Sequence, residues 1–113
     1  MSTLQKGRAD RREALFGGQG TVQVYDLLGR ARAAPFTAVL SCELDPHGKV
    51  GRHVQEEFPE IVIGVEGQGE ARVDGEVHPL RSGDVVYLRL GATLAIDNLG
   101  DTPLRYLIIK AKG

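Results

Sequence analysis

The chain has 113 residues, a length that fits one domain with a single buried core and leaves no room for a second. Hydrophobic residues make up 42% and charged residues 26%, which argues against a disordered or membrane-embedded chain. The formal net charge of -1, with acids interleaved among the bases, removes the general electrostatic pull that nucleic-acid binding needs.

Residues 1–17 are polar and mixed in charge, with Lys6, Arg8, Arg11 and Arg12 set against Asp10 and Glu13. A short flexible N-terminal arm is expected there, with one or two helical turns over Ala9–Leu15 stopped by Gly17 and Gly18. Residues 18–113 are expected to form the folded domain. From Thr21 onward short apolar-rich runs are broken by Gly, Pro and Asp, the pattern of strands joined by tight turns. The expected strands are Val22–Leu27, Thr37–Glu43, Gly51–Gln55, Glu60–Glu66, Gly69–Val73, Glu76–Leu80, Asp84–Leu88, Ala92–Asn98 and Leu104–Lys110. Asp74-Gly75 is a two-residue hairpin signal, because a type I′ turn needs positive φ at both central positions. No segment after Leu15 carries a helical period of useful length, which excludes an α/β fold. Many short antiparallel strands hide their edges by closing or doubling the sheet, so an all-β small barrel or jelly roll is expected.

Cys42 is the only cysteine, so no internal disulfide forms. Its place in an apolar run predicts a buried, unreactive thiol. No apolar run approaches bilayer length and the N-terminus lacks the apolar core of a secretion signal, so a cytoplasmic protein without membrane association is expected.

Two spacings carry chemistry. The first is His53-x-Gln55, then Glu60 and Gly67; the second is Gly83, Arg89, Gly91, Leu94 and Asn98. Together they resemble the paired motifs of the cupin superfamily, Gly-x5-His-x-His-x3,4-Glu-x6-Gly and Gly-x5-Pro-x-Gly-x2-His-x3-Asn. The resemblance spans roughly Phe36 to Lys110 and implies a double-stranded jelly-roll barrel. This chain departs from the motifs at four points. The leading glycine is displaced to Gly48, Gln55 replaces a histidine, Arg89 stands at the proline position, and Leu94 stands where the last histidine belongs.

In metal-containing cupins the histidines and the glutamate meet inside the barrel around a transition metal. Here the resemblance leaves His53 and Glu60 as strong ligands and Gln55 as a weak one, so no cofactor is expected; if one is bound, it is a divalent transition metal. His47 lies in a turn sequence, and His78 is expected to face solvent or a partner subunit; neither has the spacing to complete the set. The expected ligand pocket is walled by His53, Gln55 and Glu60, with Leu94, Ile96, Val62 and Tyr106 as apolar lining and Arg89 at its mouth for an anionic group. Glu56 and Glu57 are expected in an exposed loop.

These residues are consistent with a metal-poor barrel that binds a small molecule. They are also consistent with a divergent enzyme: a metal-dependent dioxygenase or isomerase, or a metal-free acid/base catalyst using His53 and Glu60. A purely structural hydrogen-bonded cluster is the third reading of the same residues. Apolar residues on both faces of the Leu104–Ile109 run and of Val22–Leu27 predict a homodimer.

Overall fold

The computed structural model describes residues 9–112. Ten strands lie among the described residues: β1 (Asp10–Glu13), β2 (Thr21–Asp26), β3 (Phe36–Leu44), β4 (Lys49–Val54), β5 (Glu60–Glu66), β6 (Gly69–Val73), β7 (Glu76–Leu80), β8 (Val85–Leu88), β9 (Thr93–Asn98) and β10 (Leu104–Ala111). All nine expected strands are present. The expected helical turns over Ala9–Leu15 are not: Asp10–Glu13 is a strand, followed by a short 3-10 turn at Leu15–Gly17. A one-turn helix carries the nucleation cost with little return, whereas the free edge of β2 offers a full set of ladder partners, Asp10↔Val24 through Glu13↔Thr21. Residues 1–8 of the expected arm lie outside the described residues.

The strands form two antiparallel sheets, one ordered β1-β2-β3-β10-β5-β8 and the other β4-β9-β6-β7. This is the doubled-sheet solution to the edge problem, a jelly roll that is not closed into a continuous barrel. One core joins the sheets: Val22, Cys42, Leu44, Val62, Leu88, Leu104 and Tyr106 come from the first, and Val50, Ala71, Leu80, Leu94 and Ile96 from the second. The alternation that builds it is cleanest in β9, where Leu94, Ile96 and Asn98 are buried and Thr93, Ala95 and Asp97 are less so. Asn98 stitches the end of the barrel. Its amide donates to the carbonyls of Leu44, Asp45 and Thr102 at 2.8–3.1 Å, and its own oxygen accepts from the Gly100 amide.

The Asp74-Gly75 hairpin has positive φ at both residues, 50° and 82°, as a type I′ turn requires. The Asp74 carboxylate accepts from the Thr93 backbone amide at 2.9 Å, which ties this turn to β9.

The outward face of the larger sheet is apolar over adjoining strands. Register places Val39, Ile109, Ile61 and Tyr87 in one row, and Leu107, Ile63 and Val85 in the next. Tyr87 is 65% exposed and Val85 61%. Among the described residues no helix is long and apolar enough to cross a membrane.

Candidate functional site

A cavity of about 580 Å³ opens between the two sheets, within the size range of small-molecule sites. His53, Gln55, Glu60, Leu94, Ile96 and Tyr106 are among the residues that line it. A register shift in β4 between Val50 and His53 turns both residues inward, where simple alternation would send them to opposite faces. His53 is paired directly across from Leu94. Gln55 lies just past the end of β4, held by two backbone bonds: its amide donates to the Ala92 carbonyl and its carbonyl accepts from the Gly91 amide.

Two expected wall residues lie elsewhere. Val62 is fully buried in the core and is not part of the cavity lining. Arg89 also lies outside the lining; its guanidinium donates to the Leu90 carbonyl and faces the Asp74 carboxylate at 3.4 Å. The motif position is kept, but an acidic turn residue draws the side chain away. His47 bonds to Asp101 at 2.7 Å in an exposed turn, and His78 stands 4.0 Å from Glu76; neither lines the cavity. Glu56 and Glu57 are exposed loop residues, as expected, and their loop also forms part of the cavity rim.

Among the lining residues that the sequence does not place in the pocket, three bear on its chemistry. Lys110 sits opposite Glu60 in the β10–β5 register, and its Nζ lies 3.8 Å from Glu60 Oε1. The signal for it is the inward series Leu104, Tyr106, Ile108, Lys110 at a spacing of two. Cys42 sits opposite Tyr106 in the β3–β10 register. Phe16 comes from the 3-10 turn and stacks on the His53 ring with centroids 4.0 Å apart and planes 14° from parallel. No periodicity or motif announces Phe16.

The turn carrying Phe16 can seat itself because its neighbours are glycines. A Cβ at Gly51 would run into the Phe16 carbonyl, and one at Gly18 into the Lys49 carbonyl. Phe16 itself has φ 54°, a left-handed conformation that costs a bulky residue on the order of 1–2 kcal/mol.

The electrostatics follow from burial. His53 Nδ1 lies 2.9 Å from the Gly51 carbonyl, which can only accept, so Nδ1 carries the proton and Nε2 is left as an acceptor. Burial lowers the His53 pKa, the Gly51 bond opposes that shift, and the Lys110 charge reinforces it. Glu60 moves the other way: burial raises its carboxyl pKa, against the pull of Lys110. Its Oε2 is buried with no hydrogen-bond partner in the protein. Burial pushes the Cys42 thiol up to about 12, with the Glu60 charge adding to the effect, and the Tyr106 hydroxyl is held well above its usual range.

A metal of the kind the motifs imply would be held by His53, Gln55 and Glu60. That set does not fit a tightly held transition ion. Among the described residues no three His, Cys, Asp or Glu side chains converge as ligands. Leu94 faces His53 with no donor atom, and the Lys110 ammonium already places a positive charge beside the glutamate.

Comparison with known proteins agrees with the architecture. The family model described as Cupin domain matches residues 40–110. A curated relative from Thermotoga maritima, named oxalate-binding protein, is 31% identical over 97 residues, covering 82% of this chain and 78% of its own. Among solved structures, a predicted oxalate decarboxylase from Thermotoga maritima superposes with a TM-score of 0.86 at 28% identity, covering 94% of this chain and 93% of its own. A Cupin 2 conserved barrel domain protein from Salinispora arenicola gives a TM-score of 0.70, also at 28% identity, over 81% of this chain and 76% of its own.

Proposed function

This chain belongs to the cupin family, and from that premise we propose that it binds a small organic molecule in the cavity between its sheets, without a tightly held metal. The observation that carries the reading is Glu60. A carboxylate with a 2% exposed side chain and an oxygen without a protein partner is costly to maintain, and it borders a cavity large enough for a ligand that could supply the missing bond. Gln55 and His53 extend the same polar wall, while Leu94, Ile96, Tyr106 and Ile108 offer apolar contact. The names of the Thermotoga relatives make oxalate the first compound to test, with and without added divalent metal.

Thermal-shift measurement on protein stripped with chelator tests the proposal across small acids, alcohols, amines and sugars. A ligand at a hundredfold excess over its Kd stabilises the folded state by about 2.7 kcal/mol, enough to shift the melting temperature by several degrees. At least one compound is expected to give such a shift and to lose it in Glu60→Gln. A stoichiometric transition metal in the purified protein, lost in His53→Ala, would overturn the metal-free part. Absence of any stabilising compound would overturn ligand binding.

A second reading is metal-free acid/base catalysis. It is favoured by the opposed shifts of two groups in one cavity: burial favours the neutral His53 ring, whose Nε2 is free to act as a base, and pushes Glu60 toward its acid form. Turnover of any bound compound, with a pH profile that loses one limb in His53→Gln, would favour it.

The apolar outward face of the larger sheet supports a homodimer. Its rows of Ile61, Tyr87, Ile109 and Leu107, Ile63, Val85 form a continuous patch of the type that monomeric proteins seldom leave in water. Sedimentation showing only monomer at micromolar concentration would refute this assembly.

A further inference from the structure

We propose that the ligand is an amphipathic molecule, with an apolar body and a hydrogen-bond donor as its polar head, and that this head bonds to Glu60 Oε2. The inference rests on the small-molecule reading above and specifies what kind of molecule fits.

The cavity lining holds donors in the Gln55 amide and the Lys110 ammonium, but its buried polar atom left without a partner is an acceptor. Glu60 Oε2 has no partner, and a carboxylate oxygen can only accept while ionised. His53 Nε2 is a second acceptor, since Nδ1 holds the ring proton against the Gly51 carbonyl. Tyr106 is paired with Cys42 in the β3–β10 register. The two open acceptors, Glu60 Oε2 and His53 Nε2, call for a ligand group with hydrogen to give, such as a hydroxyl or an ammonium.

Charge points the same way. The described lining residues include Glu56, Glu57 and Glu60 but only one lysine, Lys110, and the lysine already faces Glu60. A carboxylate head would enter a site with an excess of negative charge and would meet an acceptor at Glu60 in place of a donor. The remaining wall is built from Leu15, Phe16, Val24, Leu40, Leu94 and Ile108, a surface that rewards an apolar body over a compact dianion. Lys110 Nζ is 3.8 Å from Oε1, beyond hydrogen-bonding length, so it balances the charge of Glu60 without saturating its lone pairs.

Four probes separate head from body: 2-phenylethanol, 2-phenylethylamine, phenylacetate and hexane-1,6-diol, measured by calorimetric titration against the full chain. The first two share a body and differ in donor, so their relative affinity tells a neutral hydroxyl from an ammonium. Both are expected to bind at least about tenfold more tightly than phenylacetate, the difference one charged hydrogen bond supports. They are also expected to exceed the diol, which has donors without an aromatic body. In Glu60→Gln, where the side-chain amide can donate, the preference should shift at least tenfold toward phenylacetate. Independently of any variant, binding of the alcohol or amine should move the ¹³C carboxyl resonance of Glu60 in the native chain.

Phenylacetate binding equal to or tighter than the alcohol and amine overturns the donor head, as does binding that leaves the Glu60 resonance in place. Failure of all three aromatic probes while an unrelated compound from the thermal-shift panel binds overturns the ligand class and leaves small-molecule binding standing. Failure of every compound overturns both.

Discussion

A glutamate side chain that is 2% exposed must be balanced by a nearby cation or take up a proton, and Lys110 at 3.8 Å supplies the cation. Lys110→Met removes it and should destabilise the fold by about 1–3 kcal/mol in urea titration, less than for a sealed pair because the lysine is partly exposed. Adding Glu60→Gln to that variant should recover most of the loss. His53 sets the pH dependence. Burial holds its pKa below the ordinary 6.5, so the unfolded chain takes up this proton before the folded one does. Its contribution to stability is therefore present above about pH 6.5 and lost as pH falls toward the folded value. Glu60, raised from 4.5, works in the opposite sense: its contribution is present below 4.5 and lost as pH rises through its folded value. Melting temperatures across acidic pH should drop below about pH 6.5 in the native chain, and the drop should be smaller in His53→Gln. Cys42, with its thiol at about 12, should resist iodoacetamide at about pH 8 in the folded state and react only at the rate of global unfolding. At this scale the sequence locates His53, Gln55, Glu60, Leu94 and Tyr106 through motif spacing and alternation. It does not reveal Lys110, because the pairing of β10 with β5 joins residues fifty positions apart and the register cannot be counted from one strand alone. Arg89 misleads for a related reason. Motif position places its backbone, but the acceptors that hold its guanidinium, Asp74 and Leu90, belong to a turn and a loop whose approach only the fold reveals.

At the scale of elements, the strands after Thr21 are readable because alternation and turn chemistry agree, as at Val73-Asp74-Gly75-Glu76. The segment before Thr21 is not. Asp10–Glu13 has no strand propensity to speak of and is recruited by the open edge of β2, a tertiary effect that outweighs local preference. The 3-10 turn after it depends on contact with β4, which is also non-local. Gly51 is the hinge of that contact: Gly51→Ala forces the Phe16 carbonyl outward and should unseat the turn, costing about 1–3 kcal/mol. The expected signature is loss of ring-current shifts on the His53 imidazole protons, with the strand ladders of β5 and β10 unchanged. Intact ring-current shifts in a folded Gly51→Ala protein would show that the turn does not need this close approach.

The whole molecule is a sandwich with one face of its larger sheet finished for solvent only in part. The inward faces of both sheets are committed to the core and cavity, so the outward Ile61, Tyr87, Val85 and Ile109 have no intramolecular role that burial explains. Tyr87→Lys in that patch should convert the proposed dimer to monomer in sedimentation while leaving the melting behaviour of the isolated fold, and ligand affinity, little changed. An unaltered sedimentation coefficient would place any assembly elsewhere.

Phe16 belongs to a segment that enters the fold by edge pairing, yet its ring forms one wall of the cavity and lies flat on His53. The site is thus completed by a segment outside the nine later strands, paired with β2 through β1 at one end and with Lys49 through Gln19 at the other. Occupancy of the cavity and attachment of this segment then share a single free-energy balance, so whatever steadies one steadies the other. Amide exchange in residues 10–18 should slow when the cavity is filled, and deleting the strand that begins at Asp10 should weaken binding without removing any side chain that touches the polar head.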